Sequence, residues 1–394
     1  MIALLSLLLL QVVNATIYLS VFGSDSNDGS SPSSAVATLT RAVSLTPSGG
    51  DIAFAAGVLP LGQVTITKSL TLRGAGAGSG QPALFQFACA SGNDQLIVYG
   101  ATVTVVGISF SGCQQAVNVG STSYSSTHSV TLDTVVFIGN QVDVIIGDGR
   151  STFVAQRTTF TGAAAAVRYN TVYGASYATA YVTLNSSSIT TSPSQGVAVD
   201  TVNFANNGQT YNSASSLTVT GTKFASSVAG ARPAFIRATH VLKLDTVSFL
   251  GPADSPKCPV YVANTKALVS NVVFDSLTGS PALCITNSVV NVINAQFTRN
   301  AGNQTAGAYI GAGIYVAGGS TVGVSDSSFN GNTVYNADGA AIHCEMSRLT
   351  VGSSSFTYNK ASTAAACSQF GCTVVQFNNT LSRNQQQAPG NACW

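Results

Sequence analysis

Charge is scarce in this chain. Of its 394 residues only 8% are Asp, Glu, Lys or Arg, and Glu345 is the sole glutamate beside 13 aspartates. A net charge of +2 so thinly spread excludes the basic stripe that a nucleic-acid surface needs. Three histidines and no Cys-x-x-Cys pair give no zinc signature, and the chain is expected to hold no metal and no cofactor. After residue 15 no stretch of 18 uninterrupted apolar residues occurs, so no membrane span is expected in the mature chain. Long helices are also missing, because no unit of the chain's repeat leaves room for a helix of ten residues.

What is present is a repeat. Eleven times the chain reads apolar-x-apolar, four small or polar residues, then a large apolar residue. The starts are Val103, Val130, Phe153, Val182, Leu217, Leu242, Ala267, Val290, Val322, Leu349 and Phe370. Seven residues on stand Phe110, Phe137, Phe160, Ile189, Phe224, Phe249, Phe274, Phe297, Phe329, Phe356 and Phe377. Starts are 21 to 35 residues apart, the period of a solenoid built from stacked small units.

The offset of seven dictates the shape of one unit. Val130 and Leu132 share a strand face, but Phe137 lies an odd number of residues on and would point outward on a straight strand. A bend must intervene, and Asp133-Thr134, Asp245-Thr246, Ser270-Asn271, Ser325-Asp326 and Gly352-Ser353 suit one. A third apolar segment precedes most units, for example Val142-Asp-Val144, Val260-Tyr-Val262 and Ile314-Tyr-Val316. Three short strands per coil, each too short to build a core alone, predict an all-β fold. It is a single parallel β-helix of about 12–14 coils, with the Phe residues stacked inside at roughly 4.8 Å per coil. Variable coil length favours the right-handed form over the strict six-residue rhythm of the left-handed one. Asn140, Asn300, Asn332 and Asn359 each follow a Phe by three residues and predict an amide ladder at one turn.

Residues 1–15 read as a secretory signal, with an apolar stretch over Ile2–Leu10 and a cleavage site at Val13-Asn14-Ala15. The mature β-helix is then 16–394, with cap and first coils over 16–74 and a polar tail over 380–394. Eight cysteines fit an oxidising compartment. Their one-coil spacing predicts bridges Cys89–Cys113, Cys258–Cys284, Cys344–Cys367 and Cys372–Cys393. Sequons at Asn185, Asn303 and Asn378 are expected glycan acceptors. The expected location is secreted, extracellular or at the cell surface, and the expected state is a monomer.

The opening segment supplies a cap. Ile17-Tyr-Leu-Ser20, Gly23-Ser-Asp-Ser-Asn-Asp-Gly29 and a predicted helix over 35–46 precede the first coils. In this it resembles the N-terminal cap of the pectin-lyase-like right-handed β-helix superfamily. The later coils resemble polymorphic outer membrane protein repeats. Phe297-Thr-Arg-Asn300, Phe329-Asn-Gly-Asn332 and Phe356-Thr-Tyr-Asn359 match their Phe-x-x-Asn, and Gly311-Ala-Gly-Ile314 and Gly339-Ala-Ala-Ile342 their Gly-Gly-Ala-Ile. The superfamily resemblance implies that a polysaccharide-cleaving member would carry either acidic calcium ligands with an Arg or Lys base, or a trio of close Asp residues. Asp143, Asp148 and Arg150 are the nearest approach to such a cluster. Tyr261, Tyr315 and His343 hold the middle position of one strand in their coils and form a candidate sugar-stacking row. The expected role is non-catalytic, adhesin-like binding or structure, with a polysaccharide or cell-surface glycan as partner. The alternative is a polysaccharide lyase or glycoside hydrolase.

Overall fold

A computed structural model describes residues 15–77, 84–90, 92–120, 126–147, 150–163, 165–169, 179–191, 197–200, 216–226, 234–238, 241–251, 258–303, 311–335, 337–362, 364–386 and 393. Three parallel sheets run its length. Sheet A has 14 strands, from Thr16–Leu19 to Thr373–Phe377. Sheet B has 13, from Gly57–Pro60 to Thr380–Ser382. Sheet C has 12, from Gln63–Ile66 to Cys367–Phe370. Each strand pairs in parallel with its equivalent one coil away, as Thr127–Asp133 does with Arg150–Gln156. This is the parallel β-helix that the repeat requires. Later coils add a fourth sheet, D, between B and C; its five strands run from Thr278–Gly279 to Gln385–Gln386.

The corner from A to B is two residues long, and its first residue is left-handed. Thr134, Thr246, Asn271, Asp326 and Ser353 occupy that first position with φ between 49° and 56°. One left-handed residue turns the chain enough to bring both Val130 and Phe137 inside, at a local cost of about 1–2 kcal/mol for an L-residue. Side-chain ladders satisfy the backbone at each corner: from A to B, Ala295 N–H donates to Ser327 Oγ and Ser327 N–H to Ser354 Oγ, and the other corners have ladders of their own. Asn332 Nδ2 donates to Phe297 O at 2.8 Å and to Asn359 Oδ1 at 3.0 Å, while Asn332 Oδ1 accepts from the backbone N–H of Asn300 at 3.1 Å. Asn140 bonds the backbone of Phe110 and Cys113 in the same manner. Hydroxyls do the same work elsewhere: Ser288 N–H donates to Ser320 Oγ, and Ser320 N–H to Ser347 Oγ.

Inside, the aromatic rings stack face to face. Centroids lie 4.7 Å apart for Phe274–Phe297 and 4.8 Å for both Phe297–Phe329 and Phe329–Phe356. Ile189 fills the slot between Phe160 and Phe224. The last rung differs from expectation. Leu381 stands against Phe356, whereas Phe377 stands against Gly352, where its ring uses the space a Cβ would take. The final repeat therefore starts at Val374, and a pattern keyed on aromatics picked the wrong residue. Residues 380–386, expected as tail, extend sheets B and D.

The N-terminal helix spans Leu39–Leu45, shorter than 35–46. Val36 is drawn instead into backbone bonds with Tyr18 and Ser20 beside the first strand, and Thr38 caps the helix through Arg41 N–H. The expected signal segment lies outside the described residues apart from Ala15. Among the described residues, no helix is long and apolar enough to cross a membrane.

Cys89–Cys113 and Cys258–Cys284 form as the spacing predicts. The other two bridges are Cys344–Cys372 and Cys367–Cys393, not Cys344–Cys367 and Cys372–Cys393. Sheet C register is the reason: Cys344 faces Gln369, and Cys367 faces Ile342.

Candidate functional site

Of the candidate acidic cluster, the two described residues, Asp143 and Arg150, do not share a surface. Asp143 is fully buried, and Asn140 Nδ2 donates to its Oδ1 at 2.8 Å. Burial pushes its pKa well above the ordinary carboxylate value, a shift the Asn140 bond only partly opposes. Arg150 is exposed, and Asp148 lies outside the described residues. Asp133, four coils from Asp245 on the same edge, is paired with Arg157. Among the described residues no group of three or more His, Cys, Asp or Glu is placed to hold a metal ion. Of the sequon residues, Asn185 and Asn378 are exposed, and the Asn303 side chain lies outside the described residues.

Tyr261, Tyr315 and His343 do stand in one column of sheet C, in the register Tyr261, Cys284, Tyr315, His343, Ser368. They do not form an exposed row. Tyr315 and His343 are only 8% and 5% exposed, Cys284 separates Tyr261 from Tyr315, and the Cys258–Cys284 bridge packs against them. Tyr315 Oη donates to Glu345 Oε2 at 2.8 Å, and His343 Nε2 lies 3.0 Å from Glu345 Oε1. Tyr261 Oη is 3.1 Å from Thr286 Oγ1.

An accessible site lies at the corner where sheet C hands over to sheet A. A groove of about 640 Å³ runs along the coils there. One wall is an outward column of sheet A in the register Tyr181, Ser216, Val241, Lys266, Val289. Tyr181, Val241 and Val289 are each more than half exposed. Four steps of about 4.8 Å make this wall about 19 Å long. The other wall is the corner itself, with Asn264 and Asn287 in left-handed backbone conformations and Asn287 Nδ2 donating to Asn264 Oδ1 at 2.5 Å. The left-handed turn swings these amides to the surface, beside the apolar column. An aromatic face, aliphatic patches, amides and one ammonium group thus line a single open trough. No motif in the sequence marks this trough, because its residues do not repeat. The only available signal was large apolar residues at positions where other coils carry Ser or Thr.

No protein-family model matches the chain, and no curated protein matches it. Among solved structures, the catalytic domain of a GH87 α-1,3-glucanase is similar at 10% identity and TM-score 0.45, over 91% of this chain and 67% of that one. PfbA, a surface adhesin of Streptococcus pneumoniae, is similar at 10% identity and TM-score 0.36, over 89% and 87%. A GH136 lacto-N-biosidase from Eubacterium ramulus is similar at 8% identity and TM-score 0.34, over 95% and 68%. Likenesses this distant carry no conclusion about activity.

Proposed function

We propose that this chain is a secreted or cell-surface β-helix protein that binds an extended glycan in the corner groove without cutting it. The observation that carries the reading is the groove's lining. Tyr181 offers a ring face for stacking on a sugar, with the aliphatic surfaces of Val241 and Val289 further along. Asn264, Asn287 and Lys266 offer hydrogen bonds to hydroxyls spaced along the same line. A trough of about 19 Å suits a short run of sugar units better than a single small molecule. Four disulfides support an oxidising, extracellular setting. The same reading places the chain with the pectin-lyase-like β-helices, as a monomer, with glycans on its sequons.

The test is a glycan array followed by titration calorimetry on the best ligand, with Tyr181→Ala alongside. Loss of one stacking face is expected to weaken binding by about tenfold. A protein that retains no glycan, or a Tyr181→Ala variant that binds like wild type, defeats the reading. Unsaturated uronide products or new reducing ends from any polymer would replace it with a lyase or a hydrolase.

A further inference from the structure

A second cluster lies on sheet C near the last coils, and it is independent of the groove. His343 and Ser368 occupy the same position on adjacent coils. Glu345 lies two residues beyond His343 on its strand, so both side chains leave the same face. His343 Nδ1 is 2.5 Å from Ser368 Oγ, and His343 Nε2 is 3.0 Å from Glu345 Oε1. The second carboxylate oxygen accepts from Tyr315 Oη at 2.8 Å. A neutral imidazole satisfies both contacts in one way: Nε2–H donates to Glu345, and Nδ1 accepts the Ser368 hydroxyl proton. Burial holds the His343 pKa below its ordinary value, against the upward pull of the Glu345 hydrogen bond and the Glu345 and Asp338 charges.

In the corner ladders amide meets amide and hydroxyl meets backbone, whereas these bonds tie together side chains of four different kinds. The Asn and Ser ladders also bond backbone N–H and C=O groups that a corner leaves open. The bonds linking Ser368, His343, Glu345 and Tyr315 hold the chain's sole glutamate and one of its three histidines.

We infer that Ser368, His343 and Glu345 form a nucleophile, base and positioning carboxylate for acyl transfer from a small carboxylic ester. The requirement is a hydroxyl in reach of a base that a third group orients, and it is recognised by geometry, not by fold. Ser368 Oγ attacks the acyl carbon while its proton passes to His343 Nδ1. Glu345, held by Tyr315, steadies the imidazolium through Nε2. The ester C–O bond breaks, and the alcohol leaves with the proton from Nδ1. Water then adds to the acyl group, gives one proton to Nδ1, and the acid departs as Ser368 recovers its hydrogen. The two ring nitrogens are exchanged relative to the serine-protease arrangement.

Gly339 covers the Ser368 hydroxyl. A Cβ there would lie 2.5 Å from Ser368 Oγ and 2.9 Å from His343 Cβ, and its φ is +71°. Only glycine closes on the hydroxyl this tightly, and Ser368 is 1% exposed beneath it. The Ala337–Ala340 segment over it is tied by Ser362 N–H to Ala337 O, Gly339 N–H to Ala364 O and Gly313 N–H to Ala340 O. The proposed reaction requires those three bonds to open, and the tight fit limits the acyl group to a small one.

The full chain, with disulfides intact, is treated with a fluorophosphonate probe between about pH 5 and 9, and adducts are mapped by mass spectrometry. One adduct is expected, on Ser368. His343→Asn should lower its rate by roughly 100-fold or more, with circular dichroism unchanged. Hydrolysis of p-nitrophenyl acetate should fall with it and vanish in Ser368→Ala. A folded wild-type chain that takes no adduct at Ser368 overturns the inference, and the cluster is then a structural tie between coils. Ester hydrolysis that survives Ser368→Ala overturns it equally.

Discussion

Replacing Asn332 by alanine removes an internal rung of the amide ladder, and the cost is calculable. The side chain makes four hydrogen bonds: two accepted, from Asn300 N–H and Asn300 Nδ2, and two donated, to Phe297 O and Asn359 Oδ1. Asn300, Asn332 and Asn359 are all 0% exposed, so water cannot take over. At about 1 kcal/mol net for each bond, the loss is about 4 kcal/mol, roughly a quarter or more of a typical domain's stability. Asn384 ends the same ladder. It accepts from Asn359 N–H and Nδ2 and donates to Phe356 O, but it is half-buried. Solvent can replace much of what Asn384→Ala removes, and about 1 kcal/mol is expected. Urea unfolding of both variants with disulfides intact measures the difference. Hydrogen exchange at the Asn300 amide reports whether the strain is local. Should Asn332→Ala cost no more than Asn384→Ala, buried amide ladders would not be what holds these corners.

Two further outcomes follow from the same structure. The Asp143 pKa is raised in the folded state, so the native chain holds that proton more tightly than the unfolded chain. Stability from this group is therefore greatest below the unfolded value of 3.8 and falls as pH climbs from there towards the folded value. Asp143→Asn should raise the melting temperature at pH 7 and leave it nearly unchanged at pH 3, and equal gains at both would refute the assignment. Peptide mapping without reduction should recover Cys344 joined to Cys372 and Cys367 joined to Cys393, and a Cys344–Cys367 peptide would contradict the register of sheet C.

The coil was legible in the sequence because its core contacts recur. Val130, Leu132 and Phe137 occupy interior positions that their equivalents fill in the next coil, so one physical demand is written many times. Asn332 was legible for the same reason. Register was less so. Phe377 stands at the spacing of a rung, and only strand pairing shows that Leu381 fills that place. The bridges of Cys344 and Cys367 depend on a two-residue offset between coils that spacing does not encode. Outward positions were the hardest. Tyr315 and His343 alternate as exposed strand residues would, and nothing along the chain shows that the outer face of sheet C is covered there.

In a stacked-coil protein, repetition and singularity carry different information. A residue that recurs at one position, such as the ring of Phe297 or the amide of Asn332, meets a need that every coil shares: filling the interior or closing a corner. Such residues say how the rod stands and nothing about what it does. Function is best sought where one coil departs from its neighbours, and two such departures among the described residues bring several side chains together. Tyr181, Val241 and Val289 break the Ser and Thr habit of the outer column of sheet A and make a trough. Tyr315, His343, Glu345 and Ser368 place four different polar groups where a neutral column would serve the sheet equally well. Each cluster spans only a few coils, and the Tyr181→Ala titration and the Ser368 adduct decide whether it answers to a ligand or to the demands of folding.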